Sequence, residues 1–174
     1  MSKGINPTGM LGNAGIGWLG ELPRLSEASL KLALDETAIR ASVLGGFDRG
    51  FNCAEAIFAP FSEALGFGPE MLRLATPFGA GIGGRRDICG IVTGGLMIIG
   101  LVYGREDPLD TDQKLIAYKA AAGYYRWFKE RKQVRCAEIV QGKFSGHTGD
   151  CVRLIDEAQS ELYRIIRGED DELT

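Results

Sequence analysis

The chain has 174 residues, 45% hydrophobic and 25% charged, the length and balance of one globular domain with its own core. A net charge of −3 excludes the basic footprint of a nucleic-acid binder. A single histidine, His147, excludes any site built from two or more histidines of one chain.

The elements follow in chain order. Residues 1–25 read as a Gly-rich N-terminal arm, too apolar for a free tail and too rich in glycine for a helix. No apolar leader core follows Met1, so the expected setting is the cytoplasm. Residues 26–168 read as one helical domain and 169–174 as an acidic tail. Strong helix formers fill 26–44, stopped by Gly45-Gly46. Asn52 with Glu55 three residues on is a capping-box start for a helix over 53–65, with Pro60 inside it and Gly66 closing it. Pro69 opens a short helix to Ala75. The run 76–84, rich in glycine, breaks regular structure. Asp87 is placed to cap an apolar helix over 88–103. That uncharged run is short of the ~20 residues of a membrane span. Gly90, Gly94, Gly95 and Gly100 along it leave room for another backbone to approach.

Asp110 or Thr111 starts a long helix to Gln133, carrying Tyr118, Tyr124, Tyr125, Trp127 and Phe128. Such an aromatic stripe reads first as core or dimer contact. A short helical piece covers 136–140, a loop covers 142–149, and Asp150 caps a last helix over 151–167. No run alternates at the strand period. The fold expected is all-α: a single-domain helical bundle around a central Gly-rich apolar helix, with an extended N-terminal arm. The apolar arm and the Gly-lined helix suggest a homodimer.

The four cysteines, Cys53, Cys89, Cys136 and Cys151, show no C-x-x-C spacing, which argues against a thioredoxin motif or a zinc ribbon. Each instead falls in or near the first turn of an expected helix. Unpaired backbone N–H groups and the positive end of the helix dipole stabilise a thiolate there. Such an arrangement suits an iron–sulfur cluster, a zinc tetrathiolate or a reactive thiolate pair. Cysteine is also a common small buried hydrophobe, so simple packing competes.

The segment from Cys53 to Cys151 resembles the C-GCAxxG-C-C family, classed as redox-active and found mostly in anaerobic prokaryotes. The first cysteine lies in Phe51-Asn52-Cys53-Ala54-Glu55-Ala56. A Gly-rich stretch, Phe78-Gly79-Ala80-Gly81-Ile82-Gly83, leads to the second, Cys89-Gly90-Ile91-Val92-Thr93-Gly94. Cys136-Ala137-Glu138-Ile139 and Asp150-Cys151 supply the last two. Ile91 departs from the small residue, usually alanine, that the pattern favours. The resemblance implies redox activity. A related domain is associated with an iron–sulfur centre in a dimeric multihaem cytochrome. That centre carries over only to Cys53, Cys89, Cys136 and Cys151, as a two-iron or four-iron cluster. Haem does not carry over, because no C-x-x-C-H motif is present.

Gly79-x-Gly81-x-x-Gly84 formally matches a dinucleotide fingerprint, but Pro77 spoils the preceding strand that the fingerprint needs. A better use for Gly79, Gly81, Gly83 and Gly90 is close backbone approach to a cofactor, with N–H groups aimed at sulfur. Arg85 and Arg86 would offset thiolate charge if they face the cysteines. His147 is a ligand or proton-donor candidate in a polar loop, where a plain surface role competes. No acid–base pair for a substrate is apparent. The expected function is electron transfer through a cysteine-ligated iron–sulfur cluster, with a protein partner. The alternatives are a cofactor-free thiol–disulfide oxidoreductase and a zinc-binding or structural module.

Overall fold

The computed structural model describes residues 35–131, 133–140 and 149–169. The arm 1–25, the start of the helix expected from residue 26, the loop bearing His147 and the tail 170–174 lie outside the described residues. Among the described residues there are seven α-helices: α1 (Glu36–Leu44), α2 (Cys53–Ala64), α3 (Leu72–Ala75), α4 (Gly90–Tyr103), α5 (Thr111–Glu130), α6 (Cys136–Ile139) and α7 (Gly149–Ile166). Two 3₁₀ turns, Pro69–Met71 and Thr76–Phe78, flank α3. The all-α expectation holds. Among the described residues the one β pairing is an isolated antiparallel bridge between Ile88 and Arg135.

Local chemistry sets the helix ends. Asp35 has extended backbone, and its carboxylate accepts from the N–H groups of Thr37 and Ala38. Of the helix expected over 26–44, the described residues show Glu36–Leu44, begun at Asp35 because a side chain that caps its own chain marks a helix start. Asn52 caps α2 as expected, and the capping box with Glu55 is complete. Asp110 caps α5. That helix stops at Glu130 instead of Gln133.

Two other expected caps are corrected. Asp87 does not cap the apolar helix. That helix begins at Gly90 with Cys89 as its N-cap residue, while Asp87 pairs with Arg135 at 2.6 Å and gives its carbonyl to the Cys136 N–H at 2.8 Å. Asp150 does not precede the last helix but lies inside its first turn, since α7 begins at Gly149.

The central position of α4 follows from its composition. It carries no charged residue, so every face but a strip must be covered. Its most extensive contact is with α2, followed by α5. Three glycines permit this. A Cβ at Gly94 would lie 2.7 Å from the Ala54 carbonyl oxygen, one at Gly90 would strike Cys53, and one at Gly95 would fall on the Tyr124 ring. Gly100, expected to serve likewise, has nothing within 4 Å. Tyr103 at the end of α4 donates to the Ile165 carbonyl on α7 at 2.8 Å. Gln113 of α5 donates to the Tyr103 carbonyl at 2.7 Å. On α7 the buried Leu154, Ile155, Ala158, Leu162 and Ile165 repeat at helical spacing and form one apolar face. Arg40 of α1 forks onto Asp156 of α7, both bonds 2.6 Å. No helix among the described residues is long and apolar enough to cross a membrane.

Candidate redox centre

The four cysteines, distant in sequence, line one cavity of about 300 Å³ together with Asn52, Thr76, Gly79, Ala80, Gly83, Gly84 and Ile139. All four are buried and none forms a disulfide. Cys53 is the first residue of α2, Cys89 the N-cap residue of α4, Cys136 the first residue of α6, and Cys151 lies in the first turn of α7. The placement read from the sequence is thus borne out. Two of these helices, α2 and α4, are also in direct contact.

Three devices assemble the cavity. The first is a backbone clamp. The Cys89 N–H donates to the Val134 carbonyl at 2.8 Å, the Cys136 N–H to the Asp87 carbonyl at 2.8 Å, and the Ala137 N–H to the Arg86 carbonyl at 3.1 Å. Cys89 and Cys136 are thereby held side by side through main-chain bonds. The second is a polar brace under Cys53. Asn52 accepts from Ala54 and Glu55 and donates from Nδ2 to the Thr76 carbonyl at 3.2 Å. Glu55 returns a bond to the Asn52 N–H and accepts from the Thr76 hydroxyl at 2.6 Å.

The third is a left-handed turn. Ala80, Gly81, Ile82, Gly83 and Gly84 all have positive φ, from 50° to 80°. Glycine adopts this freely, while alanine and especially β-branched isoleucine do so at a cost. The turn is held by bonds from the Gly84 N–H to the Gly79 carbonyl, 3.2 Å, and from the Arg86 N–H to the Ala80 carbonyl, 3.1 Å. Successive N–H groups in such a turn form a concave donor surface.

The Ala80 N–H of this turn is one of several groups that shift the thiols. Cys53 is lowered to about 6 from the ordinary value of 9. The main cause is the hydrogen bond from the Cys89 thiol. Burial opposes it, and the N–H groups of Ala80, Gly90 and Cys53 itself support it. Cys89 is pushed well up by the same hydrogen bond, by burial and by negative charge on Cys53. Cys136 is raised by burial and by the charges of Cys53 and Cys151, with Arg86 opposing. The thiols therefore feel one another across the cavity.

Other expected site residues divide. Gly79 and Gly83 line the cavity, and Gly90 sends its N–H to Cys53. Gly81 does not line it. A Cβ there would strike the backbone of Arg86 and Asp87, so Gly81 serves the tightness of the turn. Arg86 acts on Cys136, whereas Arg85 is exposed and absent from the lining. His147 lies outside the described residues. The residues before the glycine run lie in α3 and the 3₁₀ turn Thr76–Phe78, not in a strand, which removes the dinucleotide reading. Ala80, Gly84, Asn52, Thr76 and Ile139 were not marked as site residues in the sequence. Asn52 carried a signal as a cap beside a cysteine, and Ala80 and Gly84 as members of the Gly-rich run. Among the described residues no three His, Cys, Asp or Glu side chains close on a point that would hold a single metal ion. The thiols stand around a cavity wall instead.

A helical chain that gathers four isolated cysteines behind a Gly-rich turn is a cysteine-centred redox domain in form. The family model described as "Putative redox-active protein (C_GCAxxG_C_C)" matches residues 51–165, and the chain belongs to that family. No curated protein and no solved structure shows significant similarity to the chain.

Proposed function

We propose that the protein is an electron-transfer protein whose cavity holds an iron–sulfur cluster on Cys53, Cys89, Cys136 and Cys151. The observation that carries this reading is the gathering of all four thiols on one cavity of about 300 Å³. Soft thiolate donors are the ligands such clusters use, and they suit the donor set present. When bound, the cluster supplies a one-electron couple. The chain's own residues do the rest. Ala80, Gly90 and Ile91 aim N–H groups at the sulfurs of Cys53 and Cys89, and hydrogen bonds to sulfur tune a potential. Arg86 offsets negative charge at Cys136. Tyr124 and Phe128, both fully buried, help exclude water from the α4 side. Four cysteines with no disulfide among them suit a reducing cytoplasm, and a redox protein partner completes the reading.

The test is anaerobic reconstitution of the reduced protein with ferrous iron and sulfide. Bound iron, acid-labile sulfide and visible charge-transfer bands are expected, and each Cys→Ser variant should lose them. A colourless protein with four titratable thiols after reconstitution would sink the cluster. The direct Cys53–Cys89 hydrogen bond favours one second reading, thiol–disulfide exchange at that pair. Loss of exactly two thiols on mild oxidation, with both mapped to Cys53 and Cys89, would support it.

A further inference from the structure

α5 has two apolar faces, and its own domain uses one. Ala120, Tyr124 and Phe128 are fully buried. On the opposite side Leu115, Tyr118 and Tyr125 are 53%, 63% and 40% exposed, with exposed Ala122 between them. Steps of three, four and three residues align these four on one stripe, the spacing of a two-helix seam. Exposed apolar side chains scattered singly need no explanation, but a stripe rimmed by charge marks an interface. The small Ala122 at its middle leaves room for a second backbone.

Charge selects the occupant. Glu106, Asp107, Asp110 and Asp112 outnumber Arg105 and Lys114 at the start of α5, while Arg126, Lys129 and Arg131 outnumber Glu130 at its end. A helix with one acidic and one basic end is complementary to itself run the other way, and the dipoles then also oppose. We propose that this face pairs with the same face of a second copy of the chain, the two α5 helices antiparallel. Setting Leu115 against the partner's Tyr125 sets Tyr118 against the partner's Ala122 and brings Asp112 next to the partner's Lys129. Such an interface is isologous, so it closes as a two-fold dimer and does not propagate. Lys119 flanks the middle of the stripe and reaches solvent past it. The inference stands apart from the redox reading, since no cysteine takes part.

Sedimentation velocity on the full chain over a concentration series tests it. The mass should rise from the 18.8 kDa of one chain to twice that value. Tyr118→Glu with Tyr125→Glu should hold the protein at one chain's mass, with unchanged helicity and unchanged iron and sulfide uptake. Asp112→Lys should weaken association at least tenfold, and adding Lys129→Asp should restore it. A single-chain mass at every concentration, or a dimer that survives the double tyrosine change, overturns the proposal. Failure of the paired charge swap to restore association overturns the antiparallel pairing.

Discussion

Gly90 stands against Cys53 with no space between them: a Cβ at position 90 would lie 2.6 Å from the Cys53 sulfur and 2.9 Å from the Ala54 nitrogen. The second neighbour is backbone and cannot rotate away. Gly90→Ala should therefore push α2 from α4 and cost ~1–3 kcal/mol, the range for overpacking a close contact. It should also draw the Gly90 N–H off the Cys53 sulfur and raise that thiol's pKa. Urea unfolding and thiol titration of the variant check both. An unchanged midpoint would mean that the contact yields.

Cys53 should titrate near pH 6 in the reduced, metal-free protein, as a step in thiolate ultraviolet absorbance. Cys89→Ala removes the donated S–H and should move that step upward. The stability consequence has a definite sign. A folded pKa below the unfolded one stabilises above the unfolded value, and that contribution is lost as pH falls through the folded one. The Cys53 contribution should thus grow between about pH 6 and 9. Cys89, pushed upward, works against stability once the unfolded chain's thiols ionise. Metal-free protein should therefore gain stability from about pH 6 toward 9 and lose it above, as Cys89 stays protonated in the fold. A stability that falls steadily from pH 6 to 9 would contradict the assignment.

Asn52→Ala removes a helix cap and the tie to the Thr76 carbonyl at once. A cap alone contributes ~1 kcal/mol, up to about 2. The loss should reach the upper part of that range, read from urea midpoints at constant slope. Thr76→Val, which keeps the Asn52 cap and removes the hydroxyl's bonds to Glu55 and to the Leu72 carbonyl, should cost less.

Ile82 holds φ at +59° while its side chain is 39% exposed. Left-handed backbone at a β-branched residue costs on the order of 1–3 kcal/mol, and little burial offsets it here. Ile82→Gly should raise the unfolding midpoint, by about 1 kcal/mol after the added entropy of glycine in the unfolded chain. A lowered midpoint would mean that the Ile82 side chain holds the turn in place.

Arg135 and Asp87 meet at 2.6 Å, but both side chains are about half exposed. Exposed pairs contribute ~0–1 kcal/mol. Arg135→Ala should therefore leave stability nearly unchanged and leave thiol reactivity as it was, because main-chain bonds hold Cys89 and Cys136 together. A marked rise in alkylation rate in this variant would assign the clamp to the ion pair instead.

Much of the fold was legible because it is written locally. Asn52 and Asp110 cap their helices by short-range hydrogen bonds, and Gly94 and Gly95 announce close helix contact by their lack of side chains. The placement of each cysteine at a helix start was legible for the same reason. The failures share a cause. Asp87 has the chemistry of a cap, yet a partner 48 residues away, Arg135, draws it off. The pairing of 86–89 with 134–137 is too short to leave an alternating pattern, so nothing local signals it. The left-handed turn was visible as glycine excess but not as a continuous turn, since Ala80 and Ile82 argue against it on propensity. Convergence of the thiols is a product of these nonlocal bonds.

The clamp between Cys89 and Val134 has a consequence for insertion and deletion. It fastens the far end of α5 to the near end of α4, so this helical hairpin is buckled at its open end as well as joined at its turn. A residue added or removed within α5 would rotate everything beyond it by about 100°, one residue's share of a 3.6-residue turn. It would present a different main-chain atom to Cys89. The segment 104–110, between the two helices, lies outside that constraint. Length variation among natural homologues should gather there, while the spacing within α5 stays fixed.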